Sequence, residues 1–305
     1  MPHYIEEAIY KFVSSPKKLD DDKASLITGN NNIKDSLLKE LSSEFADRIK
    51  ESTIRRYSKD KDESSFSIRM SNIGLPIRQL CLQRDNGRVS NQSFAISGFY
   101  GDMLEHFTLF LLKASGINVQ ETNKKTILDV NGYKIPGELD LIIDGSVWDV
   151  KSASDYSYDI KFESYKSLED NDSFGYLAQL FGYAMAENVP VGGWIVINKA
   201  KGLIKVVPVP ISIQKAYKLK YMQEFDDKIK HITTGKAPPP CTGVIKEQFY
   251  KKDTGNLILN RDCFYCNYKQ HCHEKCTPLD DVNSIAQKKT LKYYIGDIKY
   301  RNANA

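Results

Sequence analysis

The sequence predicts an α/β fold in which a sheet is flanked by helices, and three observations carry that reading. Strand-like segments crowd between Ile117 and Ser152, with Asn131-Gly132 as a hairpin turn among them. An apolar helix over 98–115 precedes them, with Met103, Leu104, Phe107, Leu111 and Leu112 on its buried face and Gly116 as its stop. A second helix over 174–188 follows and leads to two further strands.

In chain order, the first seventy residues read as a charged helical prelude. Ile5, Ile9, Phe12 and Val13 recur at helical spacing, as do Leu37, Leu38, Leu41, Phe45 and Ile49. Between them, Asp20-Asp21-Asp22-Lys23 and Gly29-Asn30-Asn31-Asn32 have loop composition. Strands are expected over 117–121, 125–130, 133–143 and 147–152, then over 193–198 and 202–209, where Pro208-Val209-Pro210 ends the run. A long charged helix over 212–234 reaches Pro238-Pro239-Pro240, a stiff linker, beyond which lies a cysteine-rich segment. The expected organisation is a helical N-terminal region (1–70), a core (71–235), and a linker with a C-terminal cysteine-cluster segment (236–305).

Composition narrows the classes. With 305 residues, 41% hydrophobic and 27% charged, the chain can bury a sizeable core, and no apolar run approaches the roughly 18 residues of a membrane span. The segment Met1-Pro2-His3-Tyr4-Ile5-Glu6-Glu7 has no export signal, so a cytoplasmic protein without structural disulfides is expected. A net charge of +4 permits contact with phosphate backbones without requiring it.

The chemistry centres on 136–151. Alternation along a strand points Asp149 and Lys151 one way and Val150 into the core. The turn signal Asp144-Gly145-Ser146 can bring Asp140 back beside Asp149, so that two acids and an ammonium converge. Phosphodiester hydrolysis needs an activated water and neutralisation of charge at phosphorus, which Mg²⁺ on hard oxygen ligands supplies. Asp140, Asp149 and the Val150 carbonyl suit the ion, and Lys151 suits orienting or deprotonating the water. The plain alternative is a surface hairpin with ordinary charges. Glu105, on the helix just upstream, would complete the shell, unless it or His106 simply faces solvent. Gln179 and Tyr183 lie one turn apart on one helix face and could grip a strand, or be an interfacial Gln and a half-buried Tyr.

Together, Gly101-x-x-x-Glu105, Gly137-Glu138-Leu139-Asp140, Asp149-Val150-Lys151 and Gln179-x-x-x-Tyr183 occur in the order and approximate spacing of the RecB-like branch of the PD-(D/E)xK nuclease superfamily. Over roughly 71–276 the chain resembles that branch. The resemblance implies a restriction-endonuclease-like mixed sheet that cuts DNA with Mg²⁺ or Mn²⁺, commonly as an exonuclease. It implies Glu105, Asp140 and Asp149 as metal ligands, Lys151 as the catalytic lysine, and Gln179 and Tyr183 as the substrate-positioning pair. Two positions depart from the pattern: many relatives carry Glu where this chain has Asp149, and several carry His where it has Glu105, with His106 adjacent.

Cys263-x2-Cys266-x5-Cys272, with Cys276 close behind, is too crowded for core packing and indicates metal. Thiolates suit Zn²⁺ or an iron–sulfur cluster equally. One distant cysteine plus this spacing resembles the iron-staple nucleases, the AddB nuclease and CRISPR-associated RecB-like exonucleases among them. That resemblance implies a 4Fe–4S cluster on Cys81, Cys263, Cys266 and Cys272, pinning the C-terminal segment to the region before the core. The local alternative is a zinc knob using Cys276, with His271 and His273 as further candidates; Cys241 is spare. The stretch 71–81 also resembles phage-encoded nucleases of this branch.

Two function classes follow. The first is a Mg²⁺/Mn²⁺-dependent DNA exonuclease acting on ends or single strands in phage DNA replication, recombination or degradation, in the host cytoplasm. Any helicase or recombination partner would be a separate chain, because no P-loop is present. The second is a non-catalytic nucleic-acid-binding protein with a zinc ribbon, although acids facing phosphates weaken such binding. An RNA substrate stays open, since no residue reports on sugar recognition.

Overall fold

The structure, a computed structural model, describes residues 2–14, 35–57, 66–87, 93–240, 243–264, 266–282, 284 and 289–299, together with four short strands between 19 and 33. Two compact units are present. The first comprises 1–63, 68–74 and 90–227, and the second 64–67, 75–89 and 228–305.

The first unit begins with α1 (Tyr4–Ser14), which buries Ile5, Ile9 and Phe12 at the expected helical spacing. Two short ribbons follow, β1 (Leu19–Asp20) with β2 (Lys23–Ala24) and β3 (Leu26–Thr28) with β4 (Asn31–Ile33), then α2 (Asp35–Tyr57) and the single turn α3 (Met70–Ile73). Helix α4 (Ile77–Asn86) belongs to the second unit, and α5 (Ser93–Ala114) returns to the first. Gly116, at φ +79°, stops α5 with the left-handed conformation that glycine adopts without strain.

Five strands make the central sheet: β5 (Val119–Val130), β6 (Tyr133–Ile143), β7 (Ser146–Ala153), β8 (Val191–Asn198) and β9 (Ile204–Pro208), in that spatial order. It is a mixed sheet flanked by helices. β7 and β8 pair in parallel, while every other neighbouring pair is antiparallel. Two tight hairpins set the register. Asn131-Gly132 (φ +51° and +87°) joins β5 to β6, and Asp144-Gly145 (φ +47° and +72°) joins β6 to β7. The π-helical turn Ser157–Lys161, α6 (Tyr165–Asp170) and α7 (Tyr176–Ala186) carry the chain across to β8. Helix α8 (Ile211–Thr234) follows β9, and its Tyr221 packs on Phe181 of α7.

Leu141, Ile143, Trp148, Val150, Ile195 and Ile197 line one sheet face in a cluster with α1 and α5. The alternation that sends Val150 there sends Asp149 and Lys151 the other way.

Three expectations need correction. The segments 117–121 and 125–130 form one strand, β5, because pairing with β6 carries it through the polar stretch Glu121-Thr122-Asn123-Lys124, which has no alternation to report a strand. Met103 and Phe107 do not lie on the buried face of α5, being 37% and 41% exposed, whereas His106 and Thr108 are buried. Those two can be buried because His106 bonds Ser52 at 2.7 Å and the Thr108 hydroxyl donates to the Leu104 carbonyl at 2.7 Å. The segment after the prolines also carries a sheet of its own.

That sheet, in the second unit, runs β10 (Val244–Phe249), β11 (Lys252–Leu259), β13 (Leu291–Ile295) and β12 (Cys276–Asp280), all antiparallel. Short helices α9 (Arg261–Phe264) and α10 (Lys269–Cys272) lie between β11 and β12. Its buried polar centre is Glu247, fully enclosed, which accepts from Lys292 (2.7 Å), Asn256 (2.8 Å), Thr254 (2.8 Å) and Tyr294 (2.9 Å). Among the described residues no helix is long and apolar enough to cross a membrane.

Candidate functional site

The β6–β7 hairpin brings two of the expected acids together. Leu141 pairs with Trp148, and one step further along the ladder Asp140 accepts a hydrogen bond from the Val150 N–H at 2.8 Å. Asp149, buried, meets the Lys151 ammonium at 2.7–2.8 Å. Its Oδ2 has that ion-pair contact but no hydrogen-bond donor in line with it. Lys151 also lies 5.1 Å from the centre of the Tyr176 ring at the start of α7.

Glu105 reaches the same place from α5. Its Oε1 accepts from the Asn123 side chain at 2.9 Å, and Asn123 in turn accepts from Arg48 of α2 at 2.6 Å. A second Arg48 nitrogen donates to Thr122 at 2.8 Å. Asn123 stands at φ +48° inside β5, a left-handed conformation that Asn tolerates better than most residues. His106, the neighbouring candidate, is turned away onto Ser52. One helical turn before Glu105, Asp102 is clamped by Arg56 through two bonds at 2.5 and 2.6 Å.

The electrostatics are those of an over-charged acid cluster. Burial, then the charges of Glu105 and Asp149, hold the Asp140 carboxyl well above the usual carboxylate range. Burial raises Asp149 as well, opposed by Lys151 and by a hydrogen bond with the Asp140 carboxyl. Glu105 is raised by burial, opposed by the Asn123 amide and the Lys151 charge. Burial alone would lower Lys151, but Asp149 and Asp140 outweigh it and keep the ammonium charged. All three carboxyls thus feel the charge of Lys151.

This donor set suits a hard divalent ion, with oxygen-only ligands and three buried or half-buried carboxyls drawn towards one site. Among the described residues no three Asp, Glu, His or Cys side chains are gathered as tightly as bound ligands would be. The Val150 side chain is buried, and its N–H is the group that Asp140 engages.

Gln179 and Tyr183 bond each other, the amide donating to the phenol oxygen at 3.3 Å. Tyr183 is only 3% exposed, so Gln179 is the member of the pair that presents surface. Burial raises the Tyr183 phenol far above its ordinary value, and Asp140 and Asp149 add to that. Gly137 makes room for Tyr183, because a Cβ there would stand 2.6 Å from the Tyr183 ring and from Met70.

Two site residues escaped sequence reasoning. Tyr176 could have been found, since 176, 179 and 183 share one helix face. Asn123 could not, because its stretch of β5 lacks a pattern.

The second unit carries Cys81, Cys263, Cys266, Cys272 and Cys276, of which Cys81, Cys263 and Cys276 are buried. Cys263 and Cys276 pack together with Leu259, and burial pushes the Cys276 thiol up against the opposing charge of Lys269. Cys272 accepts from Arg78 at 3.0 Å, one turn of α4 from Cys81, whose thiol is raised by burial. His273 Nε2 is buried without a hydrogen-bond partner, and His271 lies beside the Tyr268 ring. Cys241 lies outside the described residues. Thiol donors suit zinc or iron–sulfur chemistry alike, and among the described residues Cys263 and Cys276 are the only cysteines that share a cluster.

No protein-family model and no curated protein matches the chain. Among solved structures it is similar to one titled "Crystal structure of SSO0001", at 19% identity, covering 76% of this chain and 96% of that one. The TM-score of 0.39 makes this likeness too distant to bear on fold or function.

Proposed function

We propose that the chain is a Mg²⁺- or Mn²⁺-dependent DNA exonuclease of the RecB-like PD-(D/E)xK branch, hydrolysing phosphodiester bonds from ends or in single strands. The observation that carries the reading is the meeting of Glu105 from α5 with Asp140 and Asp149 from one hairpin at a single charged lysine. Glu105, Asp140, Asp149 and the Val150 carbonyl would hold the ion, which when bound supplies a Lewis acid and an acidified water. Lys151, held charged by its acidic neighbours, orients that water and offsets charge developing on the phosphoryl oxygens. A lysine held this strongly charged favours orienting over deprotonating. Asn123 and Arg48 aim Glu105, and Gln179, backed by Tyr183, positions the strand.

The cysteine-rich unit would hold a 4Fe–4S cluster through Cys81, Cys263, Cys266 and Cys272, with zinc on a set including Cys276 as the alternative. The role fits phage DNA replication, recombination or degradation, and an unwinding partner would act in trans.

One preparation tests both halves. Protein purified without oxygen is analysed for iron and zinc, then incubated with end-labelled single and double strands with and without Mg²⁺. The wild type should shorten the strands, and Asp149→Ala and Lys151→Ala should each slow the reaction by roughly a thousandfold or more. Robust cleavage by both variants would remove this active site, and a colourless, zinc-loaded protein would remove the cluster.

A further inference from the structure

The second unit turns its β10–β11 hairpin on residues that resist the turn. Phe249 pairs with Lys252, which leaves Tyr250 and Lys251 as a two-residue loop. Both stand in the left-handed region, at φ +49° and +63°. Asn-Gly and Asp-Gly supply that backbone with least strain, because glycine has no Cβ and a short polar side chain bonds locally. The central sheet follows this rule at Asn131-Gly132 and Asp144-Gly145. Among the described residues the other non-glycine positions with positive φ are Asn123, Asn131, Asp144 and Asn188, so Tyr250 and Lys251 alone break the pattern. A bulky ring and a long ammonium arm each strain such a turn.

Packing does not explain the strain. Tyr250 is 77% exposed, the most exposed aromatic side chain among the described residues. Its ring meets Phe249, the residue before it, at 4.5 Å and 81°, which steadies the ring without burying it. Lys251 and Lys252 are exposed beside it. The next acid along the chain, Asp253, is paired with Lys246 at 3.1 Å, so the positive charge of the tip stands.

We propose that the β10–β11 tip is a nucleic-acid contact, with Tyr250 stacking on an unpaired base and Lys251 and Lys252 meeting the flanking phosphates. The choice of nucleic acid as ligand class rests on the nuclease reading, whereas the strain and exposure of the tip are independent of it. An aromatic plane accepts any base by stacking, and adjacent ammonium groups supply the positive field that a phosphate needs. The ligand is therefore single-stranded nucleic acid bound without base preference. Stability given up to present a ring on a strained turn is the pattern of a binding site.

The test sets stability against binding. Wild type, Tyr250→Asn and Tyr250→Trp, each as the full chain, are compared without added Mg²⁺ or Mn²⁺ for thermal unfolding and for equilibrium binding of a short oligothymidylate. A strand of the same length with abasic sites is the control. Asn tolerates the left-handed turn, so Tyr250→Asn should unfold at or above the wild-type Tm. Its affinity for oligothymidylate should fall about tenfold, with affinity for the abasic strand unchanged, and Tyr250→Trp should retain binding. Equal binding of oligothymidylate by wild type and Tyr250→Asn, or an equal loss on the abasic strand, overturns the proposal. Tyr250-dependent binding to phosphatidylglycerol vesicles with none to oligothymidylate would assign the tip to a lipid surface and overturn it too. If the wild type digests DNA with Mg²⁺ yet Tyr250→Asn binds normally, the tip proposal fails and the nuclease reading stands. If Tyr250-dependent stacking holds but no phosphodiester is cut, the tip proposal stands and the nuclease reading fails.

Discussion

Gly137→Ala probes how tightly the acid hairpin is built. A Cβ at 137 would stand 2.6 Å from Met70 Cγ, 2.8 Å from Met70 Cβ and 2.6 Å from Tyr183 Cε1. Carbon atoms rest about 3.5–4.0 Å apart, so about 1 Å of room must be found against both neighbours. Neither has space to give, since Met70 is fully buried and Tyr183 nearly so. The backbone cannot retreat either, because Gly137 is paired with Thr126 in the β5–β6 ladder. Overpacking of this kind costs about 1–3 kcal/mol. For a unit of this size that lowers Tm by roughly 2–12 °C. Displacing Tyr183 also strains its 3.3 Å bond to Gln179, so DNA cleavage should fall with stability. Met70→Ala alone costs about 2–5 kcal/mol as a cavity. Combined with Gly137→Ala it should cost less than the sum, by about 1 kcal/mol or more, because each change accommodates the other. Thermal unfolding followed by circular dichroism reads all three variants. Wild-type stability in Gly137→Ala, or strict additivity in the pair, would refute the reasoning.

Asn123→Gly keeps the left-handed backbone at φ +48° while removing the donor to Glu105. Mn²⁺ binding measured by calorimetry should weaken about 10–100-fold with little change in Tm, and unchanged affinity would separate Asn123 from the site. Glu247 governs acid stability of the second unit. Burial raises its carboxyl, but the bonds from Lys292, Asn256, Thr254 and Tyr294 outweigh that and bring it from 4.5 down to about 2. A folded value below the unfolded one means the stability is present above pH about 4.5 and is lost as pH falls toward about 2, with a magnitude of about 3 kcal/mol. Glu247→Gln should flatten the acid limb of the unfolding curve across that window; an unchanged limb counts against the network.

Much of the hairpin was legible before folding because its information is local. Asn131-Gly132 and Asp144-Gly145 specify tight turns by their own backbone preferences, and the period of two puts Asp149 with Lys151 and Val150 opposite. Helical spacing likewise located Ile5, Ile9 and Phe12, and the shared face of Gln179 and Tyr183. Other features have no local signature. Whether 105 or 106 faces the acids depends on the rotation of α5, set by what α2 and β5 offer: Ser52 takes His106, and Asn123 takes Glu105. Asn123 is itself aimed by Arg48, 75 positions away in the chain. The requirement for Gly137 comes from Met70 and Tyr183. Turn chemistry and strand alternation are properties of neighbouring residues and survive in the bare sequence. The rotation of a helix, the room beside a glycine and the aim of a buried carboxylate come from packing between distant segments, which exists only once the chain has folded.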